Sequence, residues 1–332
     1  MIISVQLLRF VAASLVVLTH SMSAGGANGV GAFGVDIFFV ISGFIISHVT
    51  NMPVRPGEFL MRRGIRIIPM YWLFTLGVAV LSLIAPSLLG ETTFSWAKLL
   101  YSLAFVPHWN EAMGWSPLLK LGWTLNHEMF FYLIFAIAMQ ISHKYRELLA
   151  ALLILCMSMV AEILPTGEYN PFHYWTAPVT YEFIFGMALA VCYRRYPEVF
   201  NLTSLVFPMA LFIISMGLLV VVDISGQHAG GERYLLWGGP STVVVWCALA
   251  SESHFSITEK GKRIILWLGD MSYPVYLIHI YIVLGLSRVL GLDHWPLIFC
   301  VSMVLAHCLS HVVTQFYDMP IRSRFARSSL KR

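Results

Sequence analysis

The chain has 332 residues, of which 58% are hydrophobic and 11% charged, with a formal net charge of +4 and a mean hydropathy of +0.76. A soluble chain carries about 25% charged residues, so this composition excludes a soluble globular enzyme, a disordered chain and a nucleic-acid binder, whose basic face would not survive such dilution. What remains is an all-α, polytopic integral membrane helix bundle, and at roughly 20 residues per span the length allows about ten transmembrane helices.

Apolar runs between polar, Gly/Pro-rich or basic breaks predict helices near 2–22, 34–50, 67–86, 122–142, 147–163, 176–193, 204–223, 234–250, 264–290 and 296–318. The segment 94–107 is too short and interrupted to span, and is expected to lie in the interface or to re-enter. No repeat or linker divides the chain, so residues 1–332 read as one integral domain with nothing soluble appended. The five cysteines, Cys156, Cys192, Cys247, Cys300 and Cys308, fall in apolar runs without a C-x-x-C pair. They read as small core hydrophobes.

Charge orients the bundle. With a cytoplasmic N-terminus, the inner breaks hold Arg55, Arg62, Arg63, Arg66, Lys144, Arg146, Arg194, Arg195, Lys260, Lys262, Arg263, Arg322, Arg324, Arg327, Lys331 and Arg332. Only Lys98, Lys120, Arg233 and Arg288 fall outside, so both termini are expected on the cytoplasmic side. The first residues also look like a cleavable signal peptide, an alternative that would leave nine spans.

Several ionisable residues lie within the spans, where they are costly and mark cavities or functional sites. Arg9 and His20 share the first span. Eleven residues make about 1100° of helical rotation, so the two point within roughly 20° of one another and lie about 16 Å apart along the axis. Asp36 opens the second span at the level of His20, where it either orients the imidazole or caps the helix. Glu128 enters the fourth span, and Glu182 and His279 lie within the sixth and ninth, as catalytic support or as interhelical glue. Arg62, Arg63 and Arg66 put three guanidiniums within five residues. That spacing suits phosphate recognition, although membrane topology and lipid headgroups explain part of it.

Other chemistries fail on sequence. His127-Glu128 lacks the second histidine of a zinc-protease motif because position 131 is Phe. There is no P-loop, no G-x-S-x-G, no dinucleotide fingerprint, and no His followed five residues later by Asp. No metal site is expected.

The ordered strings resemble the membrane-bound acyltransferase family 3, in particular its members that modify exopolysaccharides and other surface glycans. They are Arg9-x10-His20; Gly34-Val35-Asp36-Ile37-Phe38-Phe39-Val40-Ile41-Ser42-Gly43-Phe44; Arg63-x-x-Arg66 with Pro69-x-Tyr71-Trp72; Trp123-x-Leu125-x-x-Glu128; Glu182-Phe183-x-x-Gly186-Met187; Leu268-Gly269-Asp270-Met271-Ser272-Tyr273-x-x-Tyr276-Leu277-Ile278-His279; and Tyr317-Asp318-x-Pro320. The resemblance covers nearly the whole chain. It implies a ten-helix enzyme that moves an acyl group, commonly acetyl, from cytoplasmic acyl-CoA to a hydroxyl at the outer face, with an essential histidine at His20 and an essential arginine at Arg9. It also implies that the Arg62–Arg66 stretch is the family's basic cytoplasmic loop. Asp318 stands where relatives often carry Glu, and the hydrolase-like domain fused to some relatives is not expected here.

The expected reaction is therefore O-acylation in the cytoplasmic membrane. A thioester is already activated, so the protein has to position it and deprotonate a hydroxyl, a task suited to an imidazole with an ordinary pKa near 6.5. His20 is expected to act as base, or as a transient acyl carrier, oriented by Asp36 or Glu128. Arg9, Arg62, Arg63 and Arg66 are expected to hold the phosphates of acetyl-CoA or another acyl-CoA, with Tyr71 and Trp72 near the nucleotide or at the interface. Ser42, Asn126, Glu182, Tyr273 and His279 are expected around the substrate or behind the catalytic groups. The partners implied are acyl-CoA, a glycan or lipid-linked saccharide acceptor, the bilayer, and polysaccharide-assembly proteins, but no nucleic acid. A glycolipid transporter or flippase uses intramembrane charge equally well, and a non-catalytic assembly protein is a third reading.

Overall fold

A computed structural model describes residues 2–89, 92–110, 114–164, 170–226, 232–291 and 294–329. Lys331 and Arg332, counted above as inner charges, lie outside the described residues. The fold is helical. In chain order come α1 (Ile3–Ala24), α2 (Gly34–Val49), α3 (Pro56–Ile84), α4 (Trp96–Leu103), α5 (Trp123–Ile141), α6 (Arg146–Ile163), α7 (Pro171–Trp175), α8 (Tyr181–Arg195), α9 (Val206–Ser225), α10 (Gly239–Ala250), α11 (Glu259–Leu290), α12 (Trp295–Val313) and α13 (Met319–Ser329). A two-stranded antiparallel hairpin, β1 (Trp109–Asn110) and β2 (Gly114–Trp115), interrupts the helices before α5.

Helices occupy each of the ten expected segments, and among the described residues seven continuous helical stretches, with α7 joined to α8 (Pro171–Arg195) and α10 extended by its flanking turns (Tyr234–His254), are long and apolar enough to cross a membrane. The other three, α2, α5 and α6, depart for visible reasons. At 16 residues α2 is only about 24 Å long against a hydrocarbon core of about 30 Å. Helix α5 carries Asn126-His127-Glu128 in its first two turns, and α6 carries Arg146, Glu147 and Glu162. Segment 94–107 contributes the short α4, with Ser95 capping its first turn by accepting from the Lys98 amide at 3.1 Å.

One boundary changes the reading of the basic stretch. Arg62–Arg66 is helix, not loop: α3 starts at Pro56, where proline is favoured because no partner is needed for its nitrogen, and continues through Pro69. The cysteines need correction too. All five are free, but only Cys247 is buried, and Cys156, Cys192, Cys300 and Cys308 lie on the outer surface of the bundle. An apolar run in a membrane protein has two apolar destinations, the core and the lipid, and composition does not separate them.

Close helix crossings rest on small residues and carbonyl oxygens, as expected where packing rather than water drives association. Helices α2 and α8 meet at Gly43 and Gly186. A Cβ on Gly43 would stand 2.2 Å from the Phe183 carbonyl oxygen, and one on Gly186 would stand 2.1 Å from that of Val40. Polar clasps hold the helix ends. The Glu252 carboxylate accepts from the Ile3 and Ser4 amides at the start of α1 (2.9 and 2.7 Å), where the helix dipole favours a negative charge. Glu147 accepts from Ser47, Arg146 and Arg194, joining α2, α6 and α8 (2.7, 2.8 and 2.7 Å). Asp223 on α9 accepts from the Gly31 and Ala32 amides (2.7 and 3.3 Å) and fixes the turn between α1 and α2.

Candidate active site

A cavity of about 550 Å³ opens among α1, α2, α3, α5 and α11. Its polar lining comes from Gln6 and Arg9 on α1, Ser42 and His48 on α2, Arg63 and Arg66 on α3, Thr124, Glu128 and Tyr132 on α5, and Tyr273 and Tyr276 on α11. Three guanidiniums face one carboxylate, so the cavity favours an anion.

Each polar group is held in place. Arg9 donates from Nη1 to Gln6 Oε1 at 3.0 Å, one helical turn away. Gln6 in turn presses against Gly269 of α11, where a Cβ would come within 2.3 Å of Gln6 Oε1. Glu128 Oε1 accepts from Ser42 Oγ at 2.8 Å and from Tyr132 OH at 2.5 Å. Tyr273 OH donates to the Ile67 carbonyl at 2.8 Å, tying α11 to α3 beside Arg66. At the far end, Tyr276 OH shares a hydrogen bond with Thr124 Oγ1 at 3.1 Å, and the Phe38 ring meets the Tyr276 ring edge-on at 6.2 Å.

Beyond that end lie two histidines. The rings of His20 on α1 and His279 on α11 are 5.2 Å apart at their centroids, with planes tilted by 33°. The Tyr276 ring is 6.0 Å from that of His279, so it stands between the cavity and the pair. His279 is wholly buried, and its Nδ1 donates to the Val275 carbonyl at 3.2 Å. His20 is half-buried.

Of the residues expected at the site from sequence, Arg9, Arg63, Arg66, Glu128, Ser42 and Tyr273 therefore converge on one cavity, and His279 meets His20. Others go elsewhere. Asp36 does not orient His20: its carboxylate, fully buried, receives Arg233 through Nε at 3.0 Å and Nη2 at 2.9 Å. The Arg233 guanidinium also lies 4.5 Å from the Trp237 ring centroid. Glu128 is committed to Ser42 and Tyr132 and does not orient His20 either. Arg62 is exposed and pairs with Glu58 one turn earlier. Tyr71 is buried against Phe105, with ring centroids 4.7 Å apart, and Trp72 is exposed and donates to the Leu103 carbonyl at 2.9 Å. Neither lines the cavity. Asn126 is buried on α5 outside it, and Glu182 is buried against Gly238 near the Asp36–Arg233 pair.

Sequence reasoning missed Gln6, Tyr132 and Arg233 as partners. The first two had a local signal, because Gln6 precedes Arg9 by three residues and Tyr132 follows Glu128 by four, both neighbours on a helix face.

Comparison with known proteins identifies the family. The family model described as an acyltransferase domain (Acyl_transf_3) matches residues 2–314. The chain is 32% identical over 255 residues to the exopolysaccharide production protein ExoZ of Rhizobium meliloti, covering 76% of each chain. It is 27% identical to the putative peptidoglycan O-acetyltransferase YrhL of Bacillus subtilis, over 96% of this chain and 55% of that one. It is 24% identical to the peptidoglycan O-acetyltransferase OatA of Listeria monocytogenes, over 93% and 54%. The chain thus spans about half the length of the latter two relatives. No solved structure matches it. A multi-helix membrane bundle with an anion-favouring cavity next to a histidine pair, matched by one family over residues 2–314, belongs to the acyltransferase 3 family and is an acyltransferase.

Proposed function

We propose that the protein is a single-domain, multi-pass enzyme of the cytoplasmic membrane, with ten spans and both termini inside, which transfers an acyl group, in the first instance acetyl, from acyl-CoA to a hydroxyl of an extracytoplasmic or lipid-linked glycan. The observation that carries this reading is the convergence of Arg9, Arg63 and Arg66 on one cavity whose far end borders His20 and His279. By the positive-inside bias, the arginine end faces the cytoplasm, where acyl-CoA is available. The names of the relatives, an exopolysaccharide production protein and two peptidoglycan O-acetyltransferases, support a surface glycan as acceptor.

In this reading the arginines hold the donor's phosphates through charge-assisted hydrogen bonds, while the pantetheine arm runs up the cavity. The roughly 16 Å from Arg9 to His20 along α1 is comparable to the reach of that arm. His20 takes the proton of the acceptor hydroxyl as its oxygen attacks the thioester carbonyl. The C–O bond forms, the C–S bond breaks, and the departing thiolate receives that proton from the imidazolium, leaving ester and free CoA thiol. General-base assistance of this kind is worth about 10²–10⁴-fold.

The test is transfer of radiolabelled acetyl by detergent-purified protein to surface polysaccharide extracted from cells lacking the gene. Wild type is expected to label the polysaccharide without any ion gradient, and His20→Ala is expected to lose at least about 10²-fold in rate. A normally inserted His20→Ala that keeps more than about a tenth of the rate refutes the base assignment. Sealed vesicles with polysaccharide on one side and acetyl-CoA on the other test the opposite-face geometry; product only when both are on the cytoplasmic side refutes it.

A further inference from the structure

A histidine that serves as a general base must present a lone pair to its substrate, so its other nitrogen must carry the proton and be held by an acceptor. The carboxylates that sequence position offers for that role are both engaged. Asp36 receives two hydrogen bonds from Arg233, and Glu128 receives Ser42 and Tyr132. Among the described residues no carboxylate hydrogen-bonds the His20 ring. The neighbour that it does have is His279.

His279 is configured as an acceptor. A carbonyl oxygen only accepts, so the 3.2 Å contact with Val275 puts the His279 proton on Nδ1. Its Nε2 is then a bare lone pair. This nitrogen is buried and has no hydrogen-bond partner, an arrangement that costs free energy unless a donor comes to it. The backbone anchor one turn earlier on α11 fixes the ring's direction, and the His20 ring, 5.2 Å away between centroids, is within reach of a small side-chain rotation or one bridging water. Hydrogen bonds at active sites are commonly long before substrate arrives.

We infer that His279 is the positioning residue of the transfer reaction: its Nε2 accepts the N–H of His20, fixes the His20 tautomer, and leaves the second His20 nitrogen free to take the acceptor hydroxyl's proton. This inference rests on the proposed role of His20 as base. Val275 C=O, His279 and His20 then form a relay of orientation in which only His20 changes its protonation, gaining the hydroxyl proton and returning it to the thiolate. His279 keeps its Nδ1 proton throughout.

Side-chain length makes the idea testable. A glutamine places its amide near the position of a histidine Nε2, whereas an asparagine reaches only as far as Nδ1. His279→Leu, His279→Asn and His279→Gln are compared with wild type and His20→Ala in the labelled acetyl-CoA and extracted-polysaccharide assay, with thermal midpoints measured in parallel. His279→Leu and His279→Asn are expected to lower kcat by about 10–100-fold with KM for acetyl-CoA changed less than about twofold, and His279→Gln to recover most of kcat. A kcat within twofold of wild type in His279→Leu, with His20→Ala inactive, overturns the inference and leaves the base assignment standing. Equal losses in the Gln and Asn variants that track their midpoints overturn it in favour of a purely structural histidine. An active His20→Ala overturns the base assignment itself, and this inference with it.

Discussion

Removing Asp36 provides a sharp test of the bundle's electrostatics, because this residue stood in the sequence as a catalytic candidate and stands in the structure as half of an ion pair. Its side chain is fully buried, that of Arg233 is 23% exposed, and two hydrogen bonds of 2.9 and 3.0 Å join them. Breaking a buried pair by deleting one partner costs about 3–5 kcal/mol, most of it the penalty for the charge left behind. Here the orphaned guanidinium keeps partial exposure and the Trp237 ring, so Asp36→Ala is expected near the lower end, about 3 kcal/mol. At about 2 °C per kcal/mol for a chain of this size, the midpoint falls by about 6 °C. Arg233→Met alone is expected to cost more, because it leaves the fully buried Asp36 carboxylate without its cation. The double variant Asp36→Leu/Arg233→Met is expected to recover most of the loss, since apolar replacement of a whole buried pair is often neutral. The assay is the fraction of protein that stays monodisperse in detergent after heating at one fixed rate, because membrane proteins unfold irreversibly and the midpoint depends on the rate. A midpoint unchanged in Asp36→Ala together with abolished transfer would refute the argument and return Asp36 to the chemistry.

Two further outcomes follow from the geometry. Arg63→Ala and Arg66→Ala are each expected to weaken acetyl-CoA binding by about 1.5–3 kcal/mol, about 10–150-fold, while Arg62→Ala, whose partner is Glu58 outside the cavity, stays within about twofold; calorimetric titration decides, and equal losses in all three would mean long-range charge rather than contact. Gly186→Ala drives a Cβ to 2.1 Å from the Val40 carbonyl oxygen, where backbone must yield, and is expected to cost about 1–3 kcal/mol or more, read as a lower midpoint; an unchanged midpoint would mean that α2 and α8 separate freely.

Helix positions were legible because lipid imposes long apolar runs, and the exceptions were legible only as oddities. Four basic residues broke the charge bias, and of these Lys98 is buried and Arg233 half-buried in the bundle. A cation on the disfavoured side, placed against an apolar run, is a sign that the fold uses it, and Arg233 could have been found that way. Its partner could not, since 197 residues separate it from Asp36. The same limit applies to His20 and His279, whose meeting depends on how α1 packs along α11. Helical spacing placed Arg9 and His20 on one face, but spacing could not distinguish Arg62 from Arg63 and Arg66. An acid one turn earlier, Glu58, draws Arg62 away, and in a segment read as loop rather than helix that one-turn relation has no meaning.

The wall formed by Tyr276, Thr124 and Phe38 has a bearing on how a cell keeps its membrane sealed. A carrier that moved a whole sugar or nucleotide would have to open alternately to each side and tolerate wide excursions of its helices. An enzyme that passes only an acyl group across the barrier needs an aperture a few atoms wide. The shared hydrogen bond between Tyr276 and Thr124, backed by the edge of Phe38, is a closure of that scale. Two hydroxyls and a ring form that closure, while Glu147, Asp223 and Glu252 tie the ends of α1 and α2 beside it. On the proposed opposite-face transfer, export of the chemical modification would be uncoupled from export of the donor, with no need for the alternating access of a carrier.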